Sequence, residues 1–143
     1  MGQQQLLLII LGVIIVGIAI AVGLQLFQAG SIGANSDAVQ NDLMNIAAHA
    51  DQHRIRPAAM GGGAGAFDVS NQGNEYQLPE RLRLTGNGEY SVVNAGAESI
   101  ELLGESVPYD DATWTLTYTP GAATEAERYV WVPAGKFDVA ATE

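Results

Sequence analysis

The sequence predicts an α+β protein: a long N-terminal helix, apolar in its first half, packs against a small antiparallel β-sheet head. Three observations predict this class. The first 36 residues contain no Asp, Glu, Lys or Arg, an amphipathic stretch follows, and short β-prone runs then alternate with turn residues. We expect an apolar helix over 1–34, its amphipathic continuation over 35–56 and a β-rich globular head over 57–143.

The apolar helix is predicted from an uninterrupted run, residues 6–24, drawn only from Leu, Ile, Val, Ala and Gly. At 1.5 Å per residue, this run can cross a hydrocarbon core of roughly 30 Å. Only Met-Gly-Gln-Gln-Gln precedes it, which favours a retained segment over a cleaved secretory signal. We expect a membrane-embedded precursor with an exported head. The residues predicted to pack in the membrane or against neighbouring helices are Leu6, Leu7, Ile10, Val13, Ile14, Ile15, Ile18, Val22 and Leu26.

Glycines interrupt this helix, and Gly30 and Gly33 are predicted to make it flexible. Two interpretations stay open, namely close helix packing and a partial melting of the helix when it leaves the bilayer. Asn35, Ser36 and Asp37 offer N-cap chemistry, so a helix is able to restart there. The amphipathic continuation has one apolar stripe and should end near Ile55, because Pro57 follows; the stripe comprises Val39, Leu43, Ile46 and Ala50.

The head is predicted to be an antiparallel meander with a hairpin turn at Asn87-Gly88. The predicted strands are 82–85, 90–95, 99–103, 113–119, 128–132 and 137–139. One face of the sheet needs a cover, which the helix stripe supplies. The expected helix–sheet core therefore combines the stripe with Trp114, Leu116 and Tyr118, while Thr113, Thr115 and Thr117 occupy the opposite face. The glycine-rich stretch 60–66 is predicted to be a flexible joint, since it lacks the features of a phosphate-binding loop.

Composition and motifs give little support for catalysis or for the binding of a cofactor or metal. The chain has no Cys, no nucleophile-elbow motif and a net charge of −10, so we expect no enzyme activity, no cofactor, no metal and no nucleic-acid partner. His49 and His53 have a spacing that two metal ligands can use, but we expect them on the solvent or intersubunit side of the helix. Asp110 and Asp111 suggest either a calcium loop or a solvated surface. Ser and Thr residues remain open to O-linked glycans.

Four aromatic residues of the head have two interpretations. Their faces are suited to stacking on sugars, but alternating aromatics in a small sheet are more often core residues and cross-strand pairs. The four are Trp114, Tyr118, Tyr129 and Trp131.

The order of a short polar start, a long apolar helix, an amphipathic continuation and a small antiparallel sheet resembles that of type IV pilins and related filament subunits. More narrowly, Met-Gly-Gln-Gln-Gln-Leu-Leu-Leu-Ile, with Arg-Pro-Ala-Ala-Met-Gly-Gly-Gly after the helix, resembles small pilin-like proteins of the Bacteroidetes and Chlorobi relatives. The resemblance implies a structural subunit of an extracellular helical filament on the cell surface, assembled with copies of itself through the hydrophobic helix. Its further expected partners are the inner membrane before assembly and the pilus assembly machinery.

The chain departs from the pilin pattern at its N-terminus, where Gln3, Gln4 and Gln5 stand in place of an expected acidic residue. We predict that these glutamines and backbone carbonyls, with no carboxylate nearby, supply acceptors for the terminal ammonium in a filament core. The alternative functions are a monomeric membrane-anchored exported binding domain, or a minor pseudopilin of a secretion system.

Overall fold

The computed structural model describes residues 2–138 and confirms the predicted α+β class. A single long helix, α1, is followed by a 3₁₀ turn, two helices of one turn each and four strands. The bounds are α1 Gly2–Ile55, the 3₁₀ turn Ala58–Met60, α2 Glu80–Arg83, β1 Gly88–Ala95, β2 Ile100–Ser106, β3 Ala112–Tyr118, α3 Glu125–Arg128 and β4 Tyr129–Gly135.

The chain divides into two compact units, of which the first ends at Ala34 and the second begins at Asn35. Helical geometry continues through Gly30, Gly33 and the residues that follow, so the amphipathic segment continues the apolar helix as predicted and no separate helix starts at 35–37. The side chains of Asn35 and Ser36 instead bond to the head, as described below. We call the second unit, which combines the C-terminal part of α1 with the sheet, the head.

The sheet is an antiparallel meander in the order β1-β2-β3-β4. Its central register aligns Leu102 of β2 with Leu116 of β3, and Leu116 in turn with Trp131 of β4. A bulge interrupts the β1–β2 pairing between Val92 and Asn94. The β1–β2 and β2–β3 connections are short hairpin loops, residues 96–99 and 107–111, whereas the longer β3–β4 connection, residues 119–128, includes α3.

Two predicted strands differ in the structure. Leu82 and Arg83 belong to α2, which begins directly after Pro79, and only Leu84 forms a bridge, with Glu89. A proline followed by an acidic first turn favours a helix start over a strand. Phe137 lies in a turn in which its N–H bonds to the Ala134 carbonyl, and the N–H of Asp138 bonds to the Gly135 carbonyl, so neither residue is in a strand. The last residue of this predicted strand, Val139, lies outside the described residues.

The head core lies between the amphipathic half of α1 and one face of the sheet. Gly104 of β2 marks the closest approach, because a Cβ built on it would lie 2.9 Å from Cγ1 of Val39. The sheet and the loop before it contribute large buried side chains to this core. The core includes Val39, Leu43, Ile46, Ala50, Phe67, Tyr76, Tyr90, Ile100, Leu102, Leu116 and Tyr118, and Trp114 at its margin is half-buried.

The glycine-rich stretch after α1 is a packed helix cap, and the prediction of a flexible joint is wrong. The N–H groups of Gly63 and Gly65 donate to the carbonyls of His53 and Arg54 at 2.9 and 2.7 Å. These bonds satisfy the last carbonyls of α1, which have no partner within the helix. A Cβ on Gly62 would collide with the Arg56 carbonyl, so the loop needs glycine to approach the helix end.

Candidate functional site

The N-terminal part of α1 presents a fully exposed apolar surface, which is the main candidate for an interaction site. Every residue from 2 to 30 is exposed. Sixteen large apolar side chains between Leu6 and Phe27 each keep 49–74% of their surface accessible. All nine residues predicted to pack in a membrane or filament core are among them. By length and composition, this helix is able to cross a membrane.

Exposing an apolar surface of this extent to water is energetically unfavourable. Burying one large aliphatic side chain is worth roughly 1.5–3 kcal/mol, so this segment gains strongly from lipid or from other protein surfaces. Large contiguous apolar patches mark membrane or protein contact sites. Gln3, Gln4 and Gln5 form a polar start to the same helix and are exposed as well.

No close contact within the described chain requires glycine at these positions of α1. A Cβ built on Gly12, Gly17, Gly23 or Gly30 would have no atom within 4 Å, and the same holds for Gly33. Each glycine in a helix interior is less favourable than alanine by up to about 1 kcal/mol. At 3.6 residues per turn, Gly12, Gly23 and Gly30 lie within about 20° of one another around the helix axis. Gly17 lies on a different side.

Polar bonds fix the start of the head's helical part to the sheet. Nδ2 of Asn35 donates to the Asn87 carbonyl at 3.1 Å, and the hydroxyl of Ser106 donates to Oδ1 of Asn35 at 2.7 Å. Nε1 of Trp114 donates to the hydroxyl of Ser36 at 2.9 Å. Asn35 and Ser36, which the sequence suggested as helix caps, therefore form long-range hydrogen bonds between α1 and the sheet.

Asp42 organises a second polar cluster that the sequence analysis missed. Its Oδ2 accepts hydrogen bonds from the hydroxyl of Tyr90 at 2.7 Å, from that of Thr85 at 3.0 Å and from Nδ2 of Asn87 at 3.1 Å. Burial, followed by the hydrogen bond to Asp42, raises the pKa of Tyr90. The sequence contained one indication of this cluster, because the carboxylate of Asp42 follows Val39 by three residues and so lies at the edge of the apolar stripe.

His49 and His53 lie under the loop that covers the C-terminal part of α1, and the prediction of a solvent-facing or intersubunit position is wrong. Nδ1 of His49 is 3.0 Å from the hydroxyl of Tyr76, and the ring of His53 meets the Tyr76 ring edge-on at 5.5 Å. Burial raises the pKa of Tyr76 to about 12. The pKa values of both histidines are lowered, first by burial; Arg81 and Arg56 add to the effect on His49, and Arg56 adds to that on His53.

The remaining candidates for metal or sugar binding are an acidic turn and four aromatic residues of the sheet. Within residues 2–138, no group of three His, Asp or Glu side chains is arranged to hold a metal ion. Asp110 and Asp111 lie on an open turn beside Glu105. The four aromatic residues pair across strands, with Tyr118 stacked on Tyr129 at 5.1 Å and Trp114 edge-on to Trp131 at 5.9 Å.

Comparisons of this chain with protein-family models, with curated proteins and with solved structures found no match. The assignment of a function therefore depends on the chain's own geometry. Its two dominant features are the exposed apolar helix and the folded, acidic head.

Proposed function

We propose that this chain is the repeating subunit of an extracellular, type IV pilus-like helical filament. The apolar part of α1 packs against the same segment of neighbouring copies, and the head forms the outer surface. One observation carries the proposal: sixteen large apolar side chains are exposed along a helix whose own head already has a core. The segment thus has apolar surface to bury and no partner within the described chain.

The same helix suits two successive environments. Residues 6–24 are long enough for a bilayer, so the inner membrane is the proposed location before assembly. Leaving the bilayer exposes no apolar surface to water if neighbouring helices replace the lipid. No charged side chain occurs among the first 36 residues, so the transfer requires no charged side chain to be desolvated.

The glycine pattern supports close contact between helices. Gly12, Gly23 and Gly30 share one side of α1, and no atom of the described chain crowds them. Small residues on one side allow two helix backbones to approach closely, as in membrane helix pairs. Such contact offsets the lower helix propensity of glycine.

The charge distribution supports an outward-facing head. All 16 acidic residues of the chain lie from Asp37 onward, and only six Lys and Arg residues oppose them. A strongly acidic surface is soluble and resists unspecific association. The same charge disfavours a nucleic-acid partner.

The decisive experiment is a helical reconstruction, by electron microscopy, of surface filaments from cells that make this chain. The expected map repeats one copy of α1 per subunit in the filament core, with the head outside. Deletion of the gene should remove these filaments. If deletion leaves all filaments unchanged and the chain stays monomeric in inner-membrane fractions, the proposal fails and the membrane-anchored binding domain replaces it.

A further inference from the structure

Strand β4 has a sequence that favours pairing with further strands. It pairs with β3 over all seven of its residues without a bulge, and β3 is its one neighbour among the described strands. Its first four residues, Tyr-Val-Trp-Val, are aromatic or β-branched and carry no charge. Val130 and Val132 are 43% and 53% exposed. An apolar strand of this kind at a sheet edge recruits other chains unless the edge is protected.

The direction of the backbone groups in β4 follows from two hydrogen bonds at the ends of its pairing with β3. The N–H of Thr119 donates to the Arg128 carbonyl at 2.9 Å, and the N–H of Lys136 donates to the Asp111 carbonyl at 2.7 Å. Hydrogen-bonded and non-hydrogen-bonded pairs alternate along an antiparallel ladder, so the odd-numbered residues of 129–135 form the non-hydrogen-bonded pairs. The N–H and carbonyl groups of these odd-numbered residues therefore point away from β3, toward the edge of the sheet.

Most of these outward-facing positions are closed to a further strand. Pro133 has no N–H, and because its nitrogen points toward the edge, it costs β4 no hydrogen bond with β3. The N–H of Tyr129 already donates to the Glu125 carbonyl of α3, and the Gly135 carbonyl accepts a hydrogen bond within the turn that follows. Among the described residues, Trp131 alone offers this edge both an N–H and a carbonyl that have no intrachain hydrogen bond.

The opposite edge of the sheet is interrupted in other ways. Leu84 forms a bridge with Glu89 and so covers the start of β1. The bulge between Val92 and Asn94 then breaks the regular pairing of that strand. Bulges at sheet edges hinder the addition of a further strand. Because β4 has no bulge, the protection of its edge depends on Pro133 and α3.

We propose that Pro133, together with α3, blocks strand addition at β4 and so prevents the heads of neighbouring copies from joining edge to edge. The inference concerns the head alone and holds for single chains as well as for a filament. In a filament, the heads are held at a high local concentration, at which an unprotected β4 edge would compete with the contacts of α1. The protected edge leaves α1 as the element through which copies associate.

Restoring the missing N–H tests the proposal in the full-length chain in detergent. Pro133→Val should keep its sheet, because no hydrogen bond to β3 is lost. It should nevertheless lose roughly half or more of the chain from the detergent-soluble fraction and gain the infrared signal of intermolecular sheet. The control Pro108→Val makes the same change in the β2–β3 loop and should stay as soluble as wild type. Pro133→Val/Val132→Lys should recover the wild-type soluble fraction, because a charge on the edge strand opposes association.

Circular dichroism of each variant separates the outcomes. A folded Pro133→Val that stays as soluble as wild type would overturn the proposal. Loss of the sheet in Pro133→Val would show that the proline serves the folding of the head, and equal aggregation of Pro108→Val would trace the effect to the loss of any proline; either result makes the proposal wrong. A wild-type chain that never forms filaments overturns the proposed function and leaves these comparisons of the head unchanged.

Discussion

The hydroxyl of Tyr90 donates a 2.7 Å hydrogen bond to Oδ2 of Asp42, which joins the first strand of the sheet to the C-terminal part of α1. Tyr90 is 1% exposed, so its hydroxyl has little access to water as an alternative partner. The same carboxylate oxygen holds Thr85 and Asn87, the residues that shape the turn before β1. This one carboxylate therefore ties three parts of the head to the helix.

The first prediction is that Tyr90→Phe destabilises the head by about 1.5–3 kcal/mol, the usual range for a hydrogen bond to a charged group. Asp42→Ala should cause a larger loss, since three buried or half-buried donors lose their acceptor. Thermal unfolding of the full chain in detergent, followed by near-ultraviolet circular dichroism, measures both. Tyr129→Phe is the control, because the described structure gives its hydroxyl no hydrogen bond. Equal unfolding of Tyr90→Phe and wild type would contradict the role of this bond.

The second prediction concerns the close approach of β2 to α1. Gly104→Ala places a Cβ 2.9 Å from Cγ1 of Val39 and 3.0 Å from the Tyr90 ring, so helix and sheet must separate slightly. We expect a loss of about 1–3 kcal/mol, as for other overpacked cores. Gly86→Ala has no atom within 4 Å of the new methyl group and should be tolerated. A crystal structure of Gly104→Ala with an unchanged helix–sheet distance and unchanged stability would refute the argument.

Much of the fold was predictable because its signals are local. The end of α1 follows from Pro57, and the order of the strands follows from alternating β-prone runs and turns. The contacts of Gly104 and Asp42 were not predictable, because each depends on a residue that is distant in sequence and becomes a neighbour only after folding. The glycine-rich stretch shows the same limit, since the sequence favours flexibility whereas the fold uses its glycines for contact.

The candidate site was predictable to a different degree. The exposed apolar segment is a property of composition, so the sequence alone delimits it as one continuous run, and the packing of its residues in a membrane or filament stays a prediction. The histidines were placed wrongly because the partner that covers them, Tyr76, lies in a loop without a regular pattern. Helical spacing alone shows which side chains share a face, but it does not show what packs on that face.

The third prediction is that acidification destabilises the head through His49 and His53. Their pKa values in the folded state lie below the ordinary value of 6.5, so the unfolded chain binds more protons as pH falls below that value. Stability is therefore fully present above about pH 6.5 and decreases as pH falls through the folded-state values. Denaturant unfolding at pH 7.5, 6.5, 5.5 and 4.5 should show this decrease. His49→Gln/His53→Gln should flatten it, and an identical pH profile in that variant would rule out the histidines as its cause.

The fourth prediction tests close helix packing. Gly23→Leu should weaken filament growth, because a large side chain separates helices at the face shared with Gly12 and Gly30. Gly17→Leu makes the same change on another side of α1 and should have a smaller effect. The critical concentration of the full-length chain, measured by sedimentation, compares the two. Equal effects would indicate that the glycines serve helix flexibility and not a specific contact.

The fifth prediction is that a carboxylate inside the apolar segment prevents insertion or assembly. Ile14 and Ile15 are exposed on α1, so neither Ile14→Asp nor Ile15→Asp disturbs the folded head. At the centre of a membrane helix, an aspartate is unfavourable by roughly 2.5–3.5 kcal/mol on insertion scales, and it also opposes burial among apolar neighbours. Membrane fractionation and electron microscopy should find less inserted chain and no filaments, whereas Ile14→Leu should behave as wild type. Normal filaments from either aspartate variant would mean that this surface of α1 faces water in the assembly, and the proposed packing would be wrong.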